Sequence, residues 1–215
     1  GCSGVDGMSG PVLICGGAGF IGTNVADKLL SEGRRVRVLD DLSRMGVERN
    51  LEWLRRKHGS LLDVEIADIR SQRAVRRCVQ DASEVYHFAA QTAVTCSVTS
   101  PRHDFEVNAI GTVTLLEELR LHARRIPLLF TSTNKVYGNL QKLALRRSGE
   151  RYLPQHPGVL AHGVSETWPL DFQSPYGCSK GAADQYVLDY ARTFSMPNVV
   201  FRMSCIYGLH QCGTE

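Results

Sequence analysis

Short apolar runs alternate along the chain with longer stretches whose apolar residues recur at helical spacing, the pattern of strand–helix units closing a parallel sheet. Residues 11–17 (PVLICGG) are apolar without interruption and end in glycines, as a strand buried on both faces would be. Residues 20–31 carry Ile21, Val25 and Leu29, with Leu30 beside them, and predict a helix. A second strand at 35–40 ends on acid, and 48–57 reads as a helix through Leu51 and Leu54. A third pair follows at 64–67 and 71–80, with Ser71 as N-cap. Strands at 84–89 and 126–131 flank one long helix over 104–123.

The rhythm then breaks. Residues 138–172 contain Pro154, Pro157 and Pro169 and no sustained period. Excursions of that length inside a domain usually carry function or small local elements. Alternation resumes with a helix at 174–194 and a strand at 198–203. The expected architecture is therefore α/β, a Rossmann-type doubly wound parallel sheet over residues 11–215, preceded by a flexible leader at 1–10.

Composition narrows the function classes. No apolar run approaches the roughly 18 residues that span a bilayer, and the leader GCSGVDGMSG lacks the basic start and apolar core of a signal peptide. Twenty-five basic against 22 acidic residues leave a net charge of +3, too mild to imply nucleic acid. The clusters at Arg34, Arg35 and Arg37, at 55–57, and at Arg73, Arg76 and Arg77 read as solvated surface. Seven widely spaced cysteines without a CxxC pair support neither a disulfide framework nor a zinc site, which points to a reducing cytosol.

The candidate chemistry begins at the first strand–helix junction. Gly16, Gly19 and Gly22 give a G-x-x-G-x-x-G spacing through GGAGFIG. Such glycines allow a tight turn, close approach of backbone to a pyrophosphate, and close helix–strand packing, while the helix N-terminus offers unpaired N–H groups. Asp40, eighteen residues beyond Gly22 at the end of the second strand, stands where a carboxylate accepts hydrogen bonds from an adenosine ribose. A carboxylate there repels a 2′-phosphate, so NAD is expected in preference to NADP. Further along, YGCSK places Tyr176 and Lys180 four apart on one helix face. The ammonium would lower the pKa of a phenol that is a poor base at neutral pH.

These residues, taken in order, resemble the extended short-chain dehydrogenase/reductases that modify nucleotide sugars. The likeness rests on GGAGFIG, Asp40, Asp68-Ile69, HFAA at 87–90, Asn108 within NAIGT, TST before VYG, and YGCSK, and it runs over about residues 11–213. It implies that Phe20 and Ile21 join the glycines at the cofactor, that Asp68 and Ile69 lie by adenine, and that Phe88, Ala89 and Ala90 line the cleft. Asn108 would steady the sheet beside the cofactor. Thr133 would be the hydroxyl partner of Tyr176 and Lys180, holding the sugar oxygen from which Tyr176 takes the proton.

Within that family, similar sugar 4,6-dehydratases place Asp-Glu after this threonine. Here Asn134 and Lys135 stand there and cannot serve as an acid/base pair. TSTNKVYG, the long excursion and LDFQSPYGCSKGAADQY instead resemble CDP-tyvelose (CDP-paratose) 2-epimerases. The resemblance implies a nucleotide-sugar substrate, a CDP-sugar by preference, transient oxidation to a keto sugar, and a homodimer. Asn134 and Lys135 are open between substrate contact and local strand-end structure. Glu166 and Asp171 read as loop-ordering residues, Cys178 as a packing or surface residue, Cys15 as a small buried hydrophobe and Tyr137 as part of a structural turn. Relatives of this kind are longer, so the C-terminal substrate subdomain is expected to be largely absent and the chain partial.

Overall fold

The computed structural model of the chain describes residues 10–92, 94–141 and 143–212. The expected leader lies outside the described residues except for Gly10. That residue belongs to the fold, because a Cβ there would strike the Asp81 carbonyl at 1.7 Å.

Six strands form one parallel sheet: β1 (Val12–Cys15), β2 (Val36–Asp40), β3 (Leu62–Ile66), β4 (Glu84–His87), β5 (Leu128–Thr133) and, last in the chain, β8 (Asn198–Met203). Their order is β3-β2-β1-β4-β5-β8, reversing direction at β1, the topology of a doubly wound sheet. The period-2 alternation of β1 divides two cores. Val12 and Ile14 pack with Ala26, Leu29 and Leu30 of α1 (Phe20–Ser31) and with Leu51 and Leu54 of α2 (Val47–His58). Leu13 and Cys15 face the other side, with Val75 and Val79 of α3 (Gln72–Val79) and Leu115, Leu116 and Leu119 of α6 (Gly111–Arg120). Ala183 and Val187 of α8 (Ser174–Thr193) complete that layer.

The expected long helix differs from the one observed. A short α4 (Val94–Thr99) precedes α5 (Pro101–Phe105), whose first residue is proline, where its missing N–H costs nothing. The helix then passes through one wide π turn at Glu106–Ile110 before α6, and ends at Arg120. Ser71 does precede α3 in extended backbone, but its hydroxyl makes no capping bond. Strand β5 runs two residues later than expected, following Pro127, which has no N–H to offer a ladder.

The excursion contains a hairpin, β6 (Leu145–Ser148) and β7 (Arg151–Pro154), turning at Gly149 with φ +62, and a short α7 (Pro157–His162). Its two ends are tied together, since the Asp171 N–H donates to the Val136 carbonyl at 2.9 Å. Behind it a buried ion pair joins β8 to α8. The Arg202 guanidinium donates to both oxygens of Asp184 at 2.9 Å, to the Tyr137 hydroxyl at 3.0 Å and to the Glu166 carbonyl at 3.3 Å. Asp184 is fully buried, and Arg202 holds its carboxyl below the usual range despite that burial.

Removing one member of this pair strands the other. Asp184→Ala should lower unfolding stability by about 3–5 kcal/mol in urea titrations. The Asp184→Ala, Arg202→Met double variant should recover part of that loss.

Candidate active site

The glycine turn at the end of β1 is held by close backbone approach. Gly16 has φ +78, and a Cβ there would meet the Ala89 nitrogen at 2.5 Å. A Cβ on Gly22, in the first turn of α1, would meet the Gly16 carbonyl at 2.2 Å. Gly19 is the N-cap of α1 in extended backbone, with only the Gly16 carbonyl at 3.4 Å near its would-be Cβ. The turn thus leaves a side-chain-free surface facing a helix N-terminus, the arrangement that receives phosphate. Phe20 and Ile21 open that helix, both partly buried.

Asp40 is built into this turn. Its Oδ2 accepts from the Ala18 N–H at 3.0 Å and its Oδ1 from the Leu42 N–H at 2.9 Å, so the carboxylate links the end of β2 to the glycines. Burial nevertheless raises its pKa, outweighing these donors. Across β1, the Phe88 and Ala89 N–H groups both donate to the Cys15 carbonyl, at 2.8 and 2.9 Å, and Ala90 continues the same half-buried segment. Asp68 is held below the ordinary range by Arg70, which contacts it at 2.6 Å and also reaches Glu106. Ile69 is buried, its side chain against Gly111, where a Cβ would come within 2.7 Å.

The second cluster lies beyond the ends of β4 and β5. Thr133, the last residue of β5, is buried, and its hydroxyl acts on the Tyr176 phenol in the first turn of α8 in the direction that favours the phenolate. Its Oγ1 also accepts from the Lys135 N–H at 3.2 Å. Lys180, one turn beyond Tyr176, is 4% exposed, donates to the Thr131 carbonyl at 2.7 Å and sits 4.3 Å over the Phe130 ring. Burial depresses its pKa to about 7, partly offset by Asp184 and Asp104.

This corrects one expectation. The Tyr176 phenol is shifted up, chiefly by burial, with only the Thr133 hydroxyl acting downward. Lys180 shares the helix face but spends its hydrogen bond on β5, and among the described residues no bond joins it to Tyr176.

A buried network behind Tyr176 was not legible from the motifs. Asp104, fully buried on α5, accepts from the Ser179 hydroxyl and from the Asn108 amide at 3.3 Å. The same Asn108 amide donates to Ser179 Oγ at 3.0 Å and to the Gln91 carbonyl at 3.1 Å, while its Oδ1 accepts from the Gln91 N–H at 2.9 Å. Asn108 therefore does join the post-β4 segment to α8. The signal was present as an acid four residues before Asn108, which places both on one helix face. His87 is likewise buried, bonded through Nε2 to Thr112 at 3.0 Å, and driven to a pKa of about 3 by burial and by Lys180.

Beside the Thr133–Tyr176 pair lies a cavity of about 260 Å³ lined by Val94, Lys135, Gly138, Asn139, Gln173 and Ser174. Ser174 holds φ +65, the left-handed conformation that non-glycine residues adopt at some cost and that concentrates at functional sites. Glu166 and Asp171 lie on the excursion side, Glu166 through its carbonyl on Arg202 and Asp171 through its carboxylate on Gln173. Tyr137 bonds Arg202, Cys15 is fully buried, and Cys178 is exposed.

A glycine turn on β1, an acid closing β2 and a Thr–Tyr–Lys cluster at the far strand ends thus lie on one doubly wound sheet. Residues 13–214 match the model of the GDP-mannose 4,6 dehydratase family, and the chain belongs to that family. It is 44% identical over 207 residues to a CDP-paratose 2-epimerase from Salmonella typhi, an alignment covering 94% of this chain and 59% of that protein. It is 32% identical to a dTDP-glucose 4,6-dehydratase from Mycobacterium tuberculosis, over 93% of the chain and 54% of the relative. Among solved structures, a dTDP-glucose 4,6-dehydratase from Streptomyces venezuelae with NAD bound superposes with a TM-score of 0.76 at 28% identity, covering 94% of this chain and 57% of that one. A UDP-glucose 4-epimerase from Thermus thermophilus in complex with NAD gives 0.69 at 33%, covering 89% and 54%. The chain thus spans little more than half the length of these relatives.

Lys180 has a thermodynamic signature. Its pKa falls on folding, so above about pH 7 the unfolded chain binds more protons at this position and stability rises with pH. Up to about pH 8.5, where thiols begin to ionise, the wild type should therefore gain stability over Lys180→Met in denaturant titrations. A constant difference between the two across that window would contradict a depressed Lys180.

Proposed function

We propose that the chain carries the cofactor-binding and catalytic half of an NAD-dependent nucleotide-sugar 2-epimerase of the CDP-paratose to CDP-tyvelose type. The observation that carries this reading is the buried Thr133 hydroxyl acting on the Tyr176 phenol, with Lys180 one helical turn beyond Tyr176 and with Asn134 and Lys135, not two carboxylates, directly after Thr133. The residues present fit NAD: a turn without side chains faces a helix N-terminus, and the half-buried Asp40 stands where an adenosine ribose would be accepted and a 2′-phosphate refused. Gly16, Gly19, Phe20, Ile21, Gly22, Asp40, Asp68, Ile69, Phe88, Ala89, Ala90 and Asn108, with Tyr176 and Lys180, form the proposed cofactor site.

NAD bound there would supply a reversible hydride acceptor for a sugar ring carbon. Tyr176 removes the proton of the adjacent hydroxyl and gives it back, so one base serves both directions. Thr133 holds that hydroxyl toward the phenol, and its own hydroxyl acts in the direction that favours the phenolate. Lys180 keeps positive charge beneath the site in its protonated form. The cavity beside Lys135 and Asn139 gives the keto sugar space to turn.

A dehydratase is the second reading, favoured by the family model and by the relative from Mycobacterium tuberculosis. Elimination of water needs an acid/base pair at 134 and 135, which Asn134 and Lys135 do not provide. CDP as the base is supported by the relative from Salmonella typhi. A homodimer is supported by apolar side chains left exposed on α4, α5, the π turn and α8: Val98, Phe105, Ile110 and Tyr186. Free thiols at every described cysteine suit a cytoplasmic setting. Among the described residues no helix is long and apolar enough to cross a membrane.

Mixed with NAD and CDP-paratose, the chain should produce reduced nicotinamide absorbance transiently and CDP-tyvelose at equilibrium. Tyr176→Phe should lose turnover by a factor of order 10²–10⁴ with its fold retained by circular dichroism. Unchanged turnover would refute the assigned base, and a 4-keto-6-deoxy product would establish the dehydratase. Phe105→Arg should convert a dimer to monomer in sedimentation, with the fold retained by circular dichroism.

A further inference from the structure

Arg44 follows β2, and Thr92 follows β4. In the sheet β1 lies between those two strands. The Arg44 guanidinium nevertheless donates to Thr92 Oγ1 at 3.2 Å. The segments that follow β2 and β4 thus meet beyond the carboxyl end of β1, the end from which the glycine turn leaves. Arg44 also borders a small hollow of about 60 Å³ with Phe20, the first residue of α1, and with Val47, Gln211 and Cys212.

The charge of Arg44 is uncommitted. Its nearest acids in sequence are occupied: Asp40 accepts from Ala18 and Leu42, and Asp41 Oδ1 accepts from the Ser43 N–H and hydroxyl at 3.0 and 2.7 Å. Among the described residues no carboxylate pairs with Arg44, whereas arginines nearby in the sheet are paired, Arg37 with Asp63 and Asp81 and Arg70 with Asp68 and Glu106. A forked cation above a backbone surface that accepts phosphate, held by one neutral hydroxyl, is complementary to a diphosphate.

We infer that Arg44 is a binding residue for the diphosphate of the cofactor, closing over the glycine turn from the β2 side and exchanging its Thr92 bond for phosphate oxygens. The inference rests on the cofactor reading above and adds to it a side-chain cation that the glycine motif does not contain. A role toward a 2′-phosphate is disfavoured, because the guanidinium bonds a residue that follows β4 and none that follows β3.

Calorimetric titration of the full chain with NAD, ADP, adenosine and NADP separates these readings. Arg44→Ala and Arg44→Gln should weaken NAD and ADP alike by roughly tenfold or more, the scale of one charge-assisted pair. Adenosine should change by less than about twofold, and Arg44→Lys should recover part of the loss. Thr92→Ala, which removes only the resting partner, should keep NAD affinity.

Equal loss for adenosine, or an equal loss in Thr92→Ala, would mean that Arg44 merely staples two loops and would overturn the inference. A loss confined to NADP would assign the guanidinium to a 2′-phosphate and overturn it likewise. Unchanged NAD and ADP binding in Arg44→Ala would overturn the inference alone. A wild-type chain that binds neither would remove the cofactor reading and this inference together.

Discussion

Everything at this site depends on how closely three backbones meet at the end of β1. The Gly16 N–H donates to the Leu39 carbonyl of β2 at 2.8 Å, and Ala89 of the β4 side stands where a Cβ on Gly16 would be. Gly22 closes the third side against the Gly16 carbonyl. No side chain larger than hydrogen fits at either glycine without moving a strand or α1, and moving either disturbs both hydrophobic layers. The sheet's reversal of winding, its anion-accepting helix end and its cofactor groove are thus consequences of one steric constraint. Asp40 reinforces it from the flank by spending its carboxylate on the same turn.

Much of this was readable along the chain because it is local. Strand–helix alternation placed the six sheet strands, and α1 begins and ends where its apolar period does. The glycines and Asp40 were legible because fixed backbone geometry demands them at fixed spacing. The region from Val94 to Arg120 was not, since a π turn changes the helical phase on which periodicity relies. Asp104 and Ser179, seventy-five residues apart, and Asp184 and Arg202, which bind one another across a strand–helix boundary, carry no local signature. Partnerships of that kind exist only once the sheet has brought their elements together.

The electrostatics of the Thr133–Tyr176–Lys180 cluster were the least legible feature. Spacing alone suggests an ammonium beside a phenol. Burial instead makes both ionised forms costly, lifting the phenol and depressing the lysine. At neutral pH the phenol therefore keeps its proton while the lysine stands near the midpoint of its titration. Two acids embedded behind it, Asp104 and Asp184, favour charge on Lys180, while Asp104 opposes it on Tyr176.

The stem of the excursion has a consequence of another kind. Val136 and Asp171 are joined by a main-chain hydrogen bond, and the segment between them returns to the sheet where it left. Closing a flexible segment of this size costs only about 0.6 kcal/mol more for each doubling of its length. The hairpin and α7 can thus be lengthened, shortened or exchanged while Thr133 and Tyr176 keep their places. The stem is thus a socket, on which segments of quite different length could be carried without disturbing the strand and helix beneath.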